Sequence, residues 1–186
     1  MIARSLQPDG LILVEPRCFR DERGQFVESW NRRAFREAGI DADFVQDNHS
    51  ISTRVGTLRG LHFQAPPHAQ DKLVRCTRGR IYDVAVDIRR GSPGYGRWLG
   101  VELTPENGRQ LYVPKGFLHG FVTLAPDSEV QYKCSDYYAP ECDGCVRWDS
   151  AGIDWPLTGT PVLSEKDARG VAFNEFHSPF VWETGT

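Results

Sequence analysis

From Phe44 onward, apolar and polar side chains alternate with a period of two, and Gly, Pro, Asn or Asp interrupts the alternation at short intervals. Strands separated by tight turns read this way, because successive side chains of a strand point to opposite faces. The pattern predicts strands at 44–52, 57–64, 73–77, 80–88, 98–103, 110–113, 120–124, 130–134 and 146–148, preceded by two more at 11–15 and 26–29. One stretch departs from it. Asn31 is a natural N-cap, residues 32–38 are mostly helix formers, and Gly39 is a natural stop, so a short helix is expected there. Eleven short strands at this spacing predict an all-β sandwich, jelly roll or barrel. No repeat, low-complexity tract or linker divides the chain, which reads as a single domain over residues 1–186.

Two strands alternate in an unusual way. In 44–52, Gln46, Asn48, Ser50 and Ser52 share one face while Val45, Asp47, His49 and Ile51 share the other, so neither face is cleanly apolar. This fits an edge strand wet on both sides, or a strand whose carboxamides line a polar cavity inside a barrel. In 80–88, Tyr82, Val84, Val86 and Ile88 oppose Asp83 and Asp87. Two carboxylates on an inner face are costly unless something pairs with them.

Composition narrows the class. With 18 glycines and 12 prolines the chain is turn-rich, and 40% hydrophobic residues with 11% aromatics suffice for a core. A net charge of −3 excludes a sequence-independent nucleic-acid binder, which needs a basic face to displace counterions. The apolar run Leu11-Ile12-Leu13-Val14 is too short for a membrane span or secretory segment, so no membrane association is expected. Five cysteines form no disulfide framework and fit a reducing cytoplasm. Cys142 and Cys145 form a lone C-x-x-C, a redox pair or half a zinc knuckle, with no second pair to complete it. The basic residues are eighteen arginines and only four lysines, Lys72, Lys115, Lys133 and Lys166.

The densest polar cluster is Leu58-Arg59-Gly60-Leu61-His62-Phe63-Gln64, followed by Gln70-Asp71-Lys72-Leu73. Regular pleating puts Arg59 and His62 on opposite faces; if both serve one cavity, a bulge at Gly60 must restore the parity. Next, Pro114 and Gly116 bracket a turn, and His119 is expected to open the following strand. This P-x-G-x-x-H-G segment resembles small barrels of the cupin type, where such a histidine often binds metal. The earlier hairpin would then supply two more histidines spaced by one residue, but it reads His62-Phe63-Gln64, so that metal set cannot be assembled.

Seven segments occur in register: Asp21-Glu22-Arg23-Gly24-Gln25-Phe26-Val27-Glu28, Phe44 to Ser50, Leu58 to Gln64, Lys72-Leu73-Val74-Arg75, Pro114 to Phe121, Tyr132-Lys133 and Ser164-Glu165-Lys166-Asp167. Together they resemble the dTDP-4-dehydrorhamnose 3,5-epimerase family of dTDP-L-rhamnose synthesis. The resemblance implies a cupin-like double-stranded β-helix, or jelly roll, with a few short helices. It also implies a dTDP-4-keto-6-deoxy sugar substrate inverted at carbons 3 and 5, no metal or other cofactor, and a homodimer in which an N-terminal strand crosses to the partner.

By the same resemblance His62 is the base, Asp167 orients it, Tyr132 delivers a proton from the opposite face, and Lys72 stabilises the enolate oxygen. Arg23, Arg59 and Lys166 suit the diphosphate. Phe26, Glu28, Gln46 and Asn48 correspond to positions that bind nucleotide or sugar, His119 to one that hydrogen-bonds sugar or phosphate, and Tyr138 to the tyrosine that stacks on thymine. Asp143 stands where relatives carry a glutamate. Three other readings share parts of this pattern: a 3- or 5-mono-epimerase of another deoxysugar, a metal-dependent cupin oxygenase, and a non-catalytic sugar-nucleotide binder.

Overall fold

The apolar positions sort into three layers around two antiparallel sheets. The computed structural model describes residues 1–182. One sheet has six strands, in the order β1 (Ile2–Ser5), β2 (Ile12–Glu15), β10 (Gln110–Val113), β7 (Lys72–Arg78), β12 (Ser128–Cys134) and β5 (Gln46–Ser52). The second has five, in the order β13 (Asp143–Cys145), β6 (Leu58–Gln64), β11 (Phe117–Thr123), β8 (Ile81–Asp87) and β9 (Trp98–Leu103). β3 (Cys18–Asp21) and β4 (Gly24–Val27) form a separate hairpin.

Between the sheets, Val74, Cys76, Leu111 and Val130 of the first pack on Ile81, Ala85, Leu103, Phe117 and Phe121 of the second. Outside the second sheet, Trp155, Phe173, Phe176 and Phe180 of the C-terminal segment cover Val84, Val86 and Leu118. Outside the first, Phe35 of α1 (Arg32–Glu37), with Ile40 and Ala42, covers Val14 and Leu73. Two face-to-face sheets with the core between them give the expected cupin-like jelly roll. The helix also forms as predicted: Asn31 Oδ1 accepts from the backbone N–H of Arg33 and Ala34, and Gly39 leaves at φ +90°.

Several boundaries differ from the sequence reading, each for a packing reason. β11 starts at Phe117, so His119 lies inside the strand instead of opening it. Both faces of its sheet are covered, so β11 is buried along its whole length and lacks the alternation that marks a half-exposed strand. The strand expected at 26–29 is β4, pairing with an unpredicted β3; the unpredicted β1 and β3 are short and largely exposed, without apolar alternation. No strand forms at the expected 146–148; the three residues before it, Asp143–Cys145, form β13 by pairing with β6, and Val146 continues that contact by exchanging backbone hydrogen bonds with Leu61 and bridges Val171 on its other side.

The bulge at Gly60 is present. His62 faces His119 and Arg59 faces Phe121, with the register shifting by one between these pairs. Gly60 sits at φ +133°, and a Cβ there would lie 2.7 Å from Gly120 Cα and 3.0 Å from the His119 carbonyl oxygen. Only glycine fits that crossing of two backbones.

Candidate active site

At one end of the barrel the inward rows change from apolar to polar. Across the first sheet, Lys72 faces Cys134, which faces Gln46; one row deeper Val74 faces Tyr132, which faces Asn48. On the facing sheet His62 pairs with His119, and Phe121 with Asp83. These walls enclose a cavity of about 190 Å³ lined by Ser50, Arg59, His62, Lys72, His119, Phe121, Tyr132, Ser164 and Asp167. Thus β5 meets both sequence alternatives: it is an edge strand, and its inner face lines the cavity.

His62 Nε2 lies 2.5 Å from Asp167 Oδ1, joining residues 105 positions apart. Asp167 is held by its own helix, α2 (Glu165–Ala168), whose N-cap Ser164 donates its hydroxyl to Asp167 Oδ2 at 2.8 Å and accepts from the Asp167 backbone N–H. Burial alone would raise the Asp167 carboxyl, but bonds from His62, Ser164 and the Gly60 backbone outweigh it and hold it below the ordinary carboxylate value. An ionised carboxylate only accepts, so Nε2–H is the donor in this contact, and in the neutral form of the ring the lone pair is on Nδ1. Cys145, directly opposite His62 in the β13–β6 pairing, brings its Sγ to 3.9 Å from Asp167 Oδ1. Burial first, then the Asp167 charge, push this thiol up to about 11.

Tyr132 and Lys72 occupy the opposite wall. Burial raises the Tyr132 phenol above its ordinary value, against the lowering effect of Arg59 and a hydrogen bond with Asn48, so it is a protonated acid near neutrality. Lys72 Nζ lies 5.9 Å from the Tyr132 ring centroid. Burial pulls its ammonium below the ordinary lysine value, while Asp143 and Asp83 favour the charge from a distance. Its backbone pairs with Val113 and Cys134, and the preceding Asp71 is fixed by its carboxylate, which accepts from Tyr112 Oη, the Lys115 N–H and Ser135 Oγ. Among the described residues Lys72 makes no ion pair, so its charge is available to the cavity. By contrast, a larger cleft of about 310 Å³, on the outer face of the first sheet, has its cations matched internally, Lys133 by Asp47 and Arg75 by Gln131.

The two inward carboxylates of β8 have the partners that burial demands. Asp87 is bound by Arg89 and Ser92 and is structural. Asp83 Oδ1 binds His119 Nε2 at 2.9 Å, a second imidazole–carboxylate pair in the cavity wall. Asp83 Oδ2 and Ser50 Oγ are buried without a hydrogen-bond partner among the described residues. Asp83, Ser50, Ser164 and Cys145 join the site residues expected from the sequence. Inward parity pointed to Asp83 and Ser50, whereas only tertiary contacts reveal Ser164 and Cys145.

The remaining expected residues fall into two groups. Gln46, Asn48, Tyr138, Asp143 and Lys166 form a contiguous belt: Gln46 Nε2 donates to Asn48 Oδ1 at 3.2 Å, Gln46 Oε1 accepts the Tyr138 N–H at 2.9 Å, and Tyr138 Oη donates to Asp143 Oδ2 at 3.1 Å. Lys166 pairs with Asp143, so its charge is already partly matched. Arg23, Phe26 and Glu28 are exposed on or beside the β3–β4 hairpin and do not line this chain's cavity. Arg23 instead binds Asp21, two residues away.

The sequence model of the family described as dTDP-4-dehydrorhamnose 3,5-epimerase matches residues 5–175. The chain belongs to that family. It is 54% identical over 176 residues to the dTDP-4-dehydrorhamnose 3,5-epimerase of Pseudomonas aeruginosa, covering 93% of this chain and 96% of that one. Identity to the Salmonella typhimurium protein of the same name is 52% over 171 residues, covering 90% and 92%. The crystal structure of dTDP-6-deoxy-D-glucose-3,5-epimerase from Legionella pneumophila, in complex with dTDP-4-keto-L-rhamnose, superposes with a TM-score of 0.94 at 42% identity, covering 98% of this chain and 99% of that one. The family match includes both halves of the His62–Asp167 pair and every strand that lines the cavity. Among the described residues no helix is long and apolar enough to cross a membrane.

Proposed function

We propose that this chain is a dTDP-4-dehydrorhamnose 3,5-epimerase that inverts carbons 3 and 5 of a dTDP-4-keto-6-deoxy sugar. One observation carries the reading beyond family membership: the imidazole of His62 and the phenol of Tyr132 stand on facing sheets across one cavity, with the Lys72 ammonium beside the phenol. Inversion at a carbon next to a ketone needs a base on one side, an acid on the other, and positive charge at the oxygen of the enolate between them.

In this mechanism the His62 Nδ1 lone pair takes the proton from the carbon, and the Asp167 carboxylate stabilises the resulting imidazolium through Nε2–H. Lys72 opposes the enolate charge in a site of restricted water, where the contact is strengthened. The Tyr132 hydroxyl then returns a proton from the opposite face. Arg59, held by Ser52 Oγ and the Ile51 carbonyl, offers its guanidinium to the diphosphate, and His119, fixed by Asp83, donates to or accepts from the sugar. Gln46, Asn48, Tyr138, Asp143 and Lys166 hold the nucleotide end.

The working unit in this proposal is a homodimer. Phe26 is 70% exposed on the β3–β4 hairpin, its ring 6.4 Å from that of the half-exposed Phe19, and such a patch favours contact with a second copy. The hairpin would carry Arg23, Phe26 and Glu28 to the partner's site. Five cysteines without a disulfide framework support a cytoplasmic location.

Incubating dTDP-4-keto-6-deoxyglucose with the protein in heavy water tests the reaction. Deuterium should enter at both carbons. Incorporation at one carbon would narrow the activity to a mono-epimerase, and incorporation at neither would refute it. Tyr132→Phe separates the two halves of the step. Mass spectrometry should show hydrogen exchange retained to a greater extent than net inversion, which should fall by about 10²–10⁴-fold, the usual weight of a general acid.

A further inference from the structure

His62, Cys145 and Asp167 come from three elements, β6, β13 and α2, yet one potential ligand atom of each lies within 4.8 Å of the others. Asp167 Oδ1 makes both central contacts, 2.5 Å to His62 Nε2 and 3.9 Å to Cys145 Sγ. Its other oxygen is engaged by Ser164, so Oδ1 is the one presented to the imidazole and the thiol. The epimerisation chemistry gives Cys145 no task; strand register alone places it opposite His62. An imidazole nitrogen, a thiolate and a carboxylate oxygen are together the donor set of a thiophilic divalent cation such as zinc. Zinc takes nitrogen and oxygen at about 2.0–2.2 Å and sulfur at about 2.3 Å, so donors on one tetrahedral ion lie about 3.2–3.7 Å apart. The His62–Asp167 contact must therefore open and the Asp167–Cys145 contact draw in, each by less than about an ångström, and the His62–Cys145 pair, within 4.8 Å, must close by up to about 1.3 Å, all within reach of side-chain rotation. The Ser164 hydroxyl supplies the orienting hydrogen bond that ligating carboxylates generally have.

We propose that His62, Cys145 and Asp167 form an inhibitory site for zinc or cadmium; its effect on turnover rests on the epimerase reading above. Binding at Nε2 moves the ring proton to Nδ1, and the Cys145 thiol releases its proton to solvent. The divalent ion, thiolate and carboxylate then sum to zero charge around a neutral ring. With a proton on Nδ1, His62 has no lone pair left to accept one from the sugar.

The test is a metal titration of chelator-stripped protein, with epimerase rate measured at each step. Cadmium is followed by thiolate-to-metal charge-transfer absorbance and zinc by calorimetry. The expected result is one binding event, a charge-transfer band, and loss of activity at the same midpoint, reversed by chelator. Cys145→Ala should move both midpoints up on the order of 100-fold, since it removes one of three ligands. Cys142→Ala, which removes the neighbouring thiol outside the cluster, should leave them in place. Cys145→Ser, closer in shape and a poorer ligand, gives the same comparison if the alanine variant fails to fold. Inhibition of Cys145→Ala at the unmodified protein's midpoint, or binding without a charge-transfer band, would overturn the site. The band and the heat report binding without turnover. A protein that binds cadmium through Cys145 but never epimerises therefore refutes the functional reading and leaves the metal site standing, and an active, metal-insensitive protein does the reverse.

Discussion

His62→Ala is expected to slow deuterium incorporation at both sugar carbons by about 10²–10⁴-fold, the contribution of a positioned general base. The same variant should bind dTDP nearly as well as the unmodified protein, because Arg59, Lys72 and the belt from Gln46 to Lys166 are untouched. The nearest other imidazole cannot readily take over: His119 is buried and tied through Nε2 to Asp83. Asp167→Asn makes the informative comparison. It keeps an acceptor near Nε2 but removes the charge that stabilises the imidazolium, so its loss should be smaller than that of His62→Ala. Turnover of His62→Ala within a few-fold of the unmodified rate would show that another group is the base.

The second large effect is on stability. Gly60→Ala should destabilise the fold by about 3–5 kcal/mol, combining a strained backbone conformation with a clash that cannot relax. The atoms its Cβ would meet, Gly120 Cα and the His119 carbonyl oxygen, belong to the backbone of the adjacent strand β11 and cannot rotate aside. In a chain of this size each kcal/mol lowers Tm by about 2–4 °C, so a drop of about 6–20 °C is expected in calorimetry. Gly24→Ala is the control, since Gly24 also has positive φ, +125°, but nothing lies within 4 Å of its added Cβ. Equal losses in the two variants would mean that the crossing with β11 is unimportant. Surviving Gly60→Ala protein should also be a poor enzyme, because the bulge keeps Arg59 and His62 on one side of the sheet.

Much of the site could be read in the residue order. His62, Lys72, Tyr132, Asp167, Arg59 and His119 line one cavity as the family resemblance implied, and the odd spacing of Arg59 and His62 was enough to require the bulge. The two inward aspartates of β8 likewise announced that partners must exist, because a buried carboxylate needs one. Their partners were not legible. Asp83 finds His119 on the neighbouring strand and Asp87 finds Arg89 two residues on, and both contacts depend on register and side-chain reach.

Alternating side chains left a clear period-two signature in 98–103, and 98–103 and 110–113 were both found to the residue. β11, covered on both faces, and β1, β3 and β13, held by backbone pairing with little side-chain burial, left a weak signature or none. The chain by itself therefore determined an all-β class, the capped helix and the inward-facing rows of polar residues, since these follow from local periodicity and backbone preference. Tertiary structure alone decided that an imidazole and a phenol face each other across the barrel, that α2 delivers a carboxylate to His62 over 105 residues, and that Cys145 sits beside them. Such contacts depend on how two sheets close over a core, and that geometry is set by packing among residues distant in the chain.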